Sequence, residues 1–141
     1  QKKFLFEKIS DYYERRSLKG MRFAVWGLAF KPRTDDMREA PAIEVITSLL
    51  NAGAEVSAFD PEAMDNAKQI WGDRVVFGAN PYEVLTGADA LVIHTEWNEF
   101  RNPDFDRIKN MLKSPVVFDG RNLYAIDDMR KMVFEYRSVG R

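Results

Sequence analysis

Strand-like and helix-like segments alternate along almost the whole chain, and this alternation limits the fold more than any other feature. Short apolar runs rich in Val, Phe and Ile mark strands at 22–28, 55–59, 75–77, 90–95, 115–119 and 135–139. Helical patterns lie between them. One places Ile43, Ile46, Leu49 and Leu50 on a single face and stops at Gly53. Asp60-Pro61, Asn80-Pro81 and Asn102-Pro103 predict further helix starts. In each pair the first side chain can accept from free first-turn amides, and proline has no amide to leave unpaired. Asn80 with Glu83 also approximates a capping box. Strands separated by helices pair in parallel and need cover on both faces, so the expected class is α/β.

The implied architecture is a Rossmann-like open parallel sheet with helices on both faces, preceded by the end of a long linking helix. That helix is read over 1–18, where Leu5, Ile9, Tyr12 and Tyr13 fall at helical spacing opposite Lys, Glu and Arg. Gly20 is suited to a left-handed cap after it. Because the pattern opens mid-helix at Gln1, residues 1–18 are expected to be the carboxyl end of an interdomain helix, and 19–141 the domain proper. An apolar share of 45% in 141 residues is enough for one core. A formal net charge of -1 provides no global field toward nucleic acid or membrane, so an anion site must come from a local basic cluster. The absence of cysteine excludes disulfides and thiol catalysis by these residues. No apolar run is long enough to span a bilayer and no signal-peptide pattern opens the chain, so a cytoplasmic protein is expected.

Chemistry is expected at the carboxyl edge of the sheet, in the loops 29–40, 95–101 and 120–124. The first, running from Phe30 to Glu39, is charged and about twice the ~2–6 residues such connections normally take. It supplies Lys31, Arg33 and Arg38, and the last loop supplies Arg121. Four cations at one edge of a nearly neutral protein fit a phosphate or carboxylate ligand. Lys31 and Arg121, directly after apolar strands, are read as ligand contacts, and Arg33 as a solvated charge. Asp35 and Asp36 point opposite ways on an extended segment and are not expected to share a metal. One should order the loop by pairing with an arginine or free amides. Asp60 stands where a dinucleotide fold keeps its ribose acid. The first loop lacks G-x-G-x-x-G, however, so Asp60 is read as a helix cap. His94, the only histidine, is read as a hydrogen-bonded core residue, and Trp97, Phe100 and Tyr124 as candidates for the crevice mouth.

The motifs Gly27-Leu28-Ala29-Phe30-Lys31-Pro32 and Thr34-Asp35-Asp36-Met37-Arg38-Glu39-Ala40-Pro41 resemble the opening of the carboxyl-terminal, UDP-binding domain of UDP-glucose 6-dehydrogenases. Phe59-Asp60-Pro61, Ala88-Asp89-Ala90, Thr95-Glu96-Trp97-Asn98-Glu99-Phe100, Phe118-Asp119-Gly120-Arg121-Asn122 and Ser138-Val139-Gly140-Arg141 keep that order, so the resemblance covers essentially all of 20–141. It implies oxidation of the C6 hydroxyl of UDP-glucose to a carboxylate with two NAD+, through a cysteine-bound intermediate that water hydrolyses. By position, Phe30 and Lys31 match residues on the UDP-sugar, Arg121 one on the sugar substrate, and Arg38 one reaching the NAD diphosphate. The resemblance implies no catalytic residue and no metal in this stretch, and NAD held mainly by an amino-terminal domain upstream. It further implies UDP-glucose and UDP-glucuronate as ligands, amino-terminal and central domains as partners, and a homodimer or larger assembly. Neither nucleic acid nor membrane is an expected partner.

Two alternatives stand beside this. The same domain could serve a GDP-mannose or UDP-N-acetyl-hexosamine dehydrogenase, which share the fold and these cations. A non-catalytic receiver-like α/β module shares size and alternation, but needs clustered acids after the first strand and an acceptor aspartate ending the third. Here those strands end in Gly27-Leu28 and Phe77-Gly78.

Overall fold

The computed structural model describes residues 4–140; Gln1–Lys3 of the expected first helix and Arg141 of the closing motif lie outside the described residues. Strands β1 (Arg22–Trp26), β2 (Glu55–Phe59), β3 (Val75–Phe77), β4 (Ala90–Ile93), β5 (Val116–Asp119) and β6 (Glu135–Ser138) form one six-stranded sheet in the order β3-β2-β1-β4-β5-β6. Every pairing is parallel, with Val25 opposite Ala58 on one side and Val92 on the other. The order reverses between β1 and β4, and both loops that leave those strands emerge at that switch point. The Rossmann-like reading of the alternation therefore holds in topology as well as in class.

Helices α1 (Phe4–Tyr12), α2 (Pro41–Asn51) and α3 (Met64–Trp71) cover one face. The other is covered by α4 (Asn98–Arg101), α5 (Phe105–Met111), α6 (Ile126–Lys131) and the 3-10 turn Glu83–Leu85. Side-chain alternation in β1 divides the core. Phe23 and Val25 join Ile46, Leu49 and Phe118, whereas Trp26 joins Leu91, Ile93 and Phe100 across the sheet. Each such side chain, withdrawn from water, contributes ~1.5–3 kcal/mol. Leu5 and Ile9 of α1 lie in the first of these cores, and Tyr12 and Tyr13 rest on Phe118 with ring centroids 5.6 and 6.1 Å away. Among the described residues no helix is long and apolar enough to cross a membrane.

Local punctuation departs from the sequence reading in three places. Helix α1 ends at Tyr12 because Glu14 and Arg15 turn left-handed (φ 58° and 55°) and Arg15 N–H donates to Ser10 O at 2.8 Å. Gly20 (φ 81°) serves the turn into β1 instead. Asn102 is the residue that ends α4, so the cap of α5 falls to Asp104, which accepts from Arg107 N–H at 3.0 Å. Asn80 accepts from Tyr82 and Glu83 N–H at 3.0 and 2.9 Å as expected, but Glu83 returns to Ala79 N–H and only a 3-10 turn follows. Strands β1 and β4 are also shorter than their apolar runs, since Gly27 takes φ 94° and the chain turns away.

Candidate functional site

At the switch point the two loops nearly touch. A Cβ built on Gly27 would lie 2.5 Å from Thr95 Oγ1 and 2.7 Å from Thr95 N, so only glycine fits. The Thr95 hydroxyl donates to Ala29 O at 2.9 Å and ties the loop after β4 to the loop after β1. Asp60, fully buried at the end of β2, completes the anchorage. Its Oδ2 accepts from Leu28 and Ala29 N–H (2.7 and 3.3 Å), and its Oδ1 accepts from Glu62 and Ala63 N–H (2.8 and 2.9 Å). The capping role read from sequence is present, in the turn that leads into α3. The carboxylate also pins the entry to the long loop, and four amides occupy both of its oxygens.

Beyond that anchor Met37 and Ala40 sink into the core, and surface hydrogen bonds hold the stretch before them. Phe30 N–H donates to Asp36 O at 3.2 Å, and Asp36 grips Arg38 by two side-chain bonds of 3.0 and 2.9 Å and by its amide at 2.9 Å. The Arg38 hydrogen bonds hold the Asp36 carboxyl down at about 2, although the Arg38 side chain is 89% exposed. Asp36 is thus the loop-ordering carboxylate and Asp35 the solvated one, whose main-chain oxygen receives Asn66 Nδ2 at 2.8 Å. Phe30 is 49% exposed, an unusual place for a phenyl ring, and Lys31 makes no ion pair among the described residues.

The loop after β5 is built differently. Asp119, fully buried, accepts from Arg121 N–H (2.8 Å), Leu123 N–H (2.7 Å) and Tyr136 O–H (2.6 Å), while Asn122 takes the left-handed turn at φ 55°. This frame presents Arg121, whose Nη2 donates to Glu96 Oε2 at 2.5 Å. Burial pushes the Glu96 carboxyl up, but hydrogen bonds from Arg121 and from its own amide outweigh this and hold it below the usual glutamate range. Arg121 and His94 share the lining of a cavity of about 150 Å³ with Pro41, Gly120 and Val139. Burial, and secondarily the Arg121 charge, push His94 down to about 3, so the imidazole is neutral at physiological pH. His94 is a core residue as expected, yet its Nε2 has no hydrogen-bond partner, contrary to the hydrogen-bonded reading.

The aromatic candidates separate. Trp97 borders a cleft of about 670 Å³ with Pro32, Arg33, Glu96 and Arg101. Phe100 is instead a core residue, stacked on Trp26 at 5.0 Å, and Tyr124 is buried with its hydroxyl on Phe100 O. Glu96 and Asp119, which position Arg121, were not singled out from the sequence. Their one local signal is an acid next to a strand end, and the partners that give it meaning are 25 and 17 residues away. Among the described residues no group of three or more His, Cys, Asp or Glu could hold a metal ion.

The arrangement places guanidinium and ammonium groups at a parallel-sheet edge, chemistry suited to an anionic ligand. The chain is 50% identical over 124 residues to the UDP-glucose 6-dehydrogenase of Rhizobium meliloti (strain 1021), covering 88% of this chain and 28% of that protein. It is 42% identical to the enzyme of that name from Pseudomonas aeruginosa, covering 100% of this chain and 32% of the relative. The chain therefore spans less than a third of these curated relatives. Among solved structures, a UDP-glucose dehydrogenase from Pyrobaculum islandicum superposes with TM-score 0.75 at 31% identity, over 99% of this chain and 29% of that one. An NDP-N-acetyl-D-galactosaminuronic acid dehydrogenase from Methanosarcina mazei Go1 superposes with TM-score 0.81 at 26% identity, over the same shares of each chain. Residues 24–126 match the family model described as the UDP-glucose/GDP-mannose dehydrogenase family, UDP binding domain. With the parallel sheet, its switch point and the cationic loops after β1 and β5 in place, the chain belongs to the UDP-glucose/GDP-mannose dehydrogenase family, as its UDP-binding domain.

Proposed function

We propose that this chain is the UDP-sugar-binding part of an NAD-dependent UDP-glucose 6-dehydrogenase that converts UDP-glucose, two NAD+ and water to UDP-glucuronate and two NADH. The observation that carries the reading is Arg121, held in place by Asp119 and Glu96 at the carboxyl edge of the sheet that also presents Phe30 and Lys31. A guanidinium fixed before the ligand arrives loses little entropy on binding, and a charge-assisted bond to a phosphate is worth ~1.5–3 kcal/mol. Lys31 would add a mobile point charge and Phe30 an apolar surface beside it.

The residues present do not fit a dinucleotide of their own. Thr95 fills the place at Gly27 where a pyrophosphate would approach the backbone, and Asp60 has given its oxygens to four amides. In this reading NAD belongs to an upstream domain, together with the cysteine that this chain lacks, and only Arg38 reaches toward the diphosphate. His94, buried and pushed down to about 3, is too weakly basic to serve as a general base near pH 7.

Calorimetric titration with UDP-glucose, UDP and GDP-mannose tests the reading, alongside NADH absorbance. The full-length enzyme should bind UDP-glucose in preference to GDP-mannose and reduce NAD+. This chain alone should fold, bind UDP-glucose weakly and produce no NADH. Turnover by the chain alone would overturn the division of the chemistry. A second reading, a UDP-N-acetyl-hexosamine substrate, draws on the higher TM-score of the Methanosarcina mazei structure, against higher identity to the UDP-glucose relatives. Preference for the N-acetyl sugar in the same titration would select it.

A further inference from the structure

Among the described residues, the buried side-chain polar atoms without a hydrogen-bond partner are His94 Nε2, Glu96 Oε1 and Trp97 Nε1. All three fall on the single stretch that leaves β4 at the switch point. A folded domain leaves few such atoms, and each calls for a partner that a water, an ion or a ligand can supply. Glu96 is the most informative of the three. One of its oxygens holds Arg121 and the other faces no donor of acceptable geometry.

An ionised carboxylate only accepts, so the partner of Oε1 must be an O–H or N–H donor and cannot be a phosphate. Arg121, on the opposite oxygen, attracts phosphate. A carboxylate and a guanidinium joined in this way suit the junction where a diphosphate meets a hydroxyl-bearing sugar. The Trp97 ring, which borders the same cleft as Glu96, offers an apolar surface for the C–H face of a pyranose. We propose that Glu96 is a specificity-determining residue that holds Arg121 with Oε2 and accepts a sugar hydroxyl of the nucleotide sugar with Oε1. This rests on the functional reading above and adds to it a residue and a contact.

The test compares UDP with UDP-glucose in the full-length enzyme, wild type and Glu96→Gln. Glutamine can still accept from Arg121 through its amide oxygen, while its NH2 replaces the accepting Oε1. UDP-glucose should bind about 10-fold more weakly to the variant, whereas UDP, which lacks the sugar, should change by less than about twofold. Retained UDP binding also reports that the variant is folded. Equal weakening toward both ligands would overturn the proposal, since Glu96 would then only prop Arg121, and so would no change toward either. Wild-type enzyme should also discriminate against at least one UDP-glucose analogue lacking a single hydroxyl, and Glu96→Gln should lose that discrimination. Equal wild-type affinity for every analogue would overturn the hydroxyl contact whatever the variant does. Wild-type enzyme that binds neither UDP nor UDP-glucose would instead remove the functional reading, and this inference with it.

Discussion

The loop after β1 and the loop after β5 stand at the same edge of one sheet and both present cations, yet they are built in opposite ways. After β5, a buried carboxylate organises the turn from within. Asp119 takes two amides and a tyrosine hydroxyl, an asparagine occupies the left-handed position, and the arginine is held by a second acid. After β1, the buried carboxylate of Asp60 reaches only the first two amides. From Phe30 onward the chain buries Met37 and Ala40, pairs Asp36 with Arg38 at the surface, and places Arg33 and Glu39, neither of them glycine, at φ 61°. The loop after β5 is framed by buried polar groups, the loop after β1 by two apolar anchors and surface hydrogen bonds. The contrast shows that cations at one sheet edge are not equivalent. Arg121 is fixed by Asp119 and Glu96, whereas Lys31 makes no ion pair among the described residues.

The largest test of that contrast strikes the two anchors. Asp60→Ala would leave buried amides of the β1 entry and of the α3 turn without acceptors, and should lower unfolding stability by ~3–5 kcal/mol in chemical denaturation. Asp36→Ala, at the surface, should leave the midpoint nearly unmoved. Similar losses from both would erase the distinction between a pinned entry and a surface pair.

Next in size is a kinetic separation. In the full-length enzyme Arg38→Ala should raise the NAD KM by about 10- to 150-fold and leave UDP-glucose affinity nearly intact. Unchanged NAD kinetics would reduce Arg38 to a partner of Asp36 within the loop.

Acid provides a third probe, because His94, which shares a cavity lining with Arg121, and Asp36 of the loop after β1 titrate in different ranges. His94, below Arg121, has a folded-state value of about 3 against an ordinary 6.5. Between those values the unfolded chain binds a proton that the folded one refuses. Stability is therefore complete above about pH 6.5 and falls by up to ~1.4 kcal/mol per unit as pH drops toward 3. The Asp36 contribution, with its carboxyl held at about 2, is lost only at the acid end, as pH falls from about 4 through 2. Urea midpoints measured from about pH 7.5 to 5 should slope downward in the wild type and flatten in His94→Leu. A slope that survives the substitution would place the acid-sensitive group elsewhere.

The smallest expected effect concerns strain. Asparagine tolerates the left-handed region better than arginine, so Arg33→Asn should raise stability by ~0.5–1 kcal/mol. UDP-glucose binding should stay within about twofold. A marked loss of binding would bring Arg33 into the site and undo its reading as a solvated charge.

Features coded within one element were legible in the sequence. The central strands β1, β4 and β5 were visible from apolar runs buried on both faces of the sheet, whereas the edge strands β3 and β6 keep exposed residues such as Val76 and Arg137; α2 was visible from its spacing and its glycine stop. The caps were legible in kind but not always in position. Nothing in Asn102-Pro103 reveals that a short helix already ends at Asn102 and passes the cap to Asp104. The cations of the site were visible as charges on loops after strands. Their supports were not, since Asp60 meets Leu28, Glu96 meets Arg121 and Tyr136 meets Asp119 only once strands 17 to 32 residues apart in the chain pair side by side. A carboxylate at a strand end looks the same in sequence whether it faces water, a metal or four amides. Tertiary distance decides among these, and no local pattern encodes it.

Gly27 carries a last consequence. In a sheet that holds a dinucleotide, a glycine in this turn makes room for a cofactor; here the same room is already let to Thr95, whose atoms stand 2.5–2.7 Å from where a Cβ would be. Cofactor exclusivity is thus a matter of tenancy rather than of missing signature residues. Restoring a full glycine fingerprint to residues 27–32 would not create a dinucleotide pocket unless the loop after β4 were first rerouted.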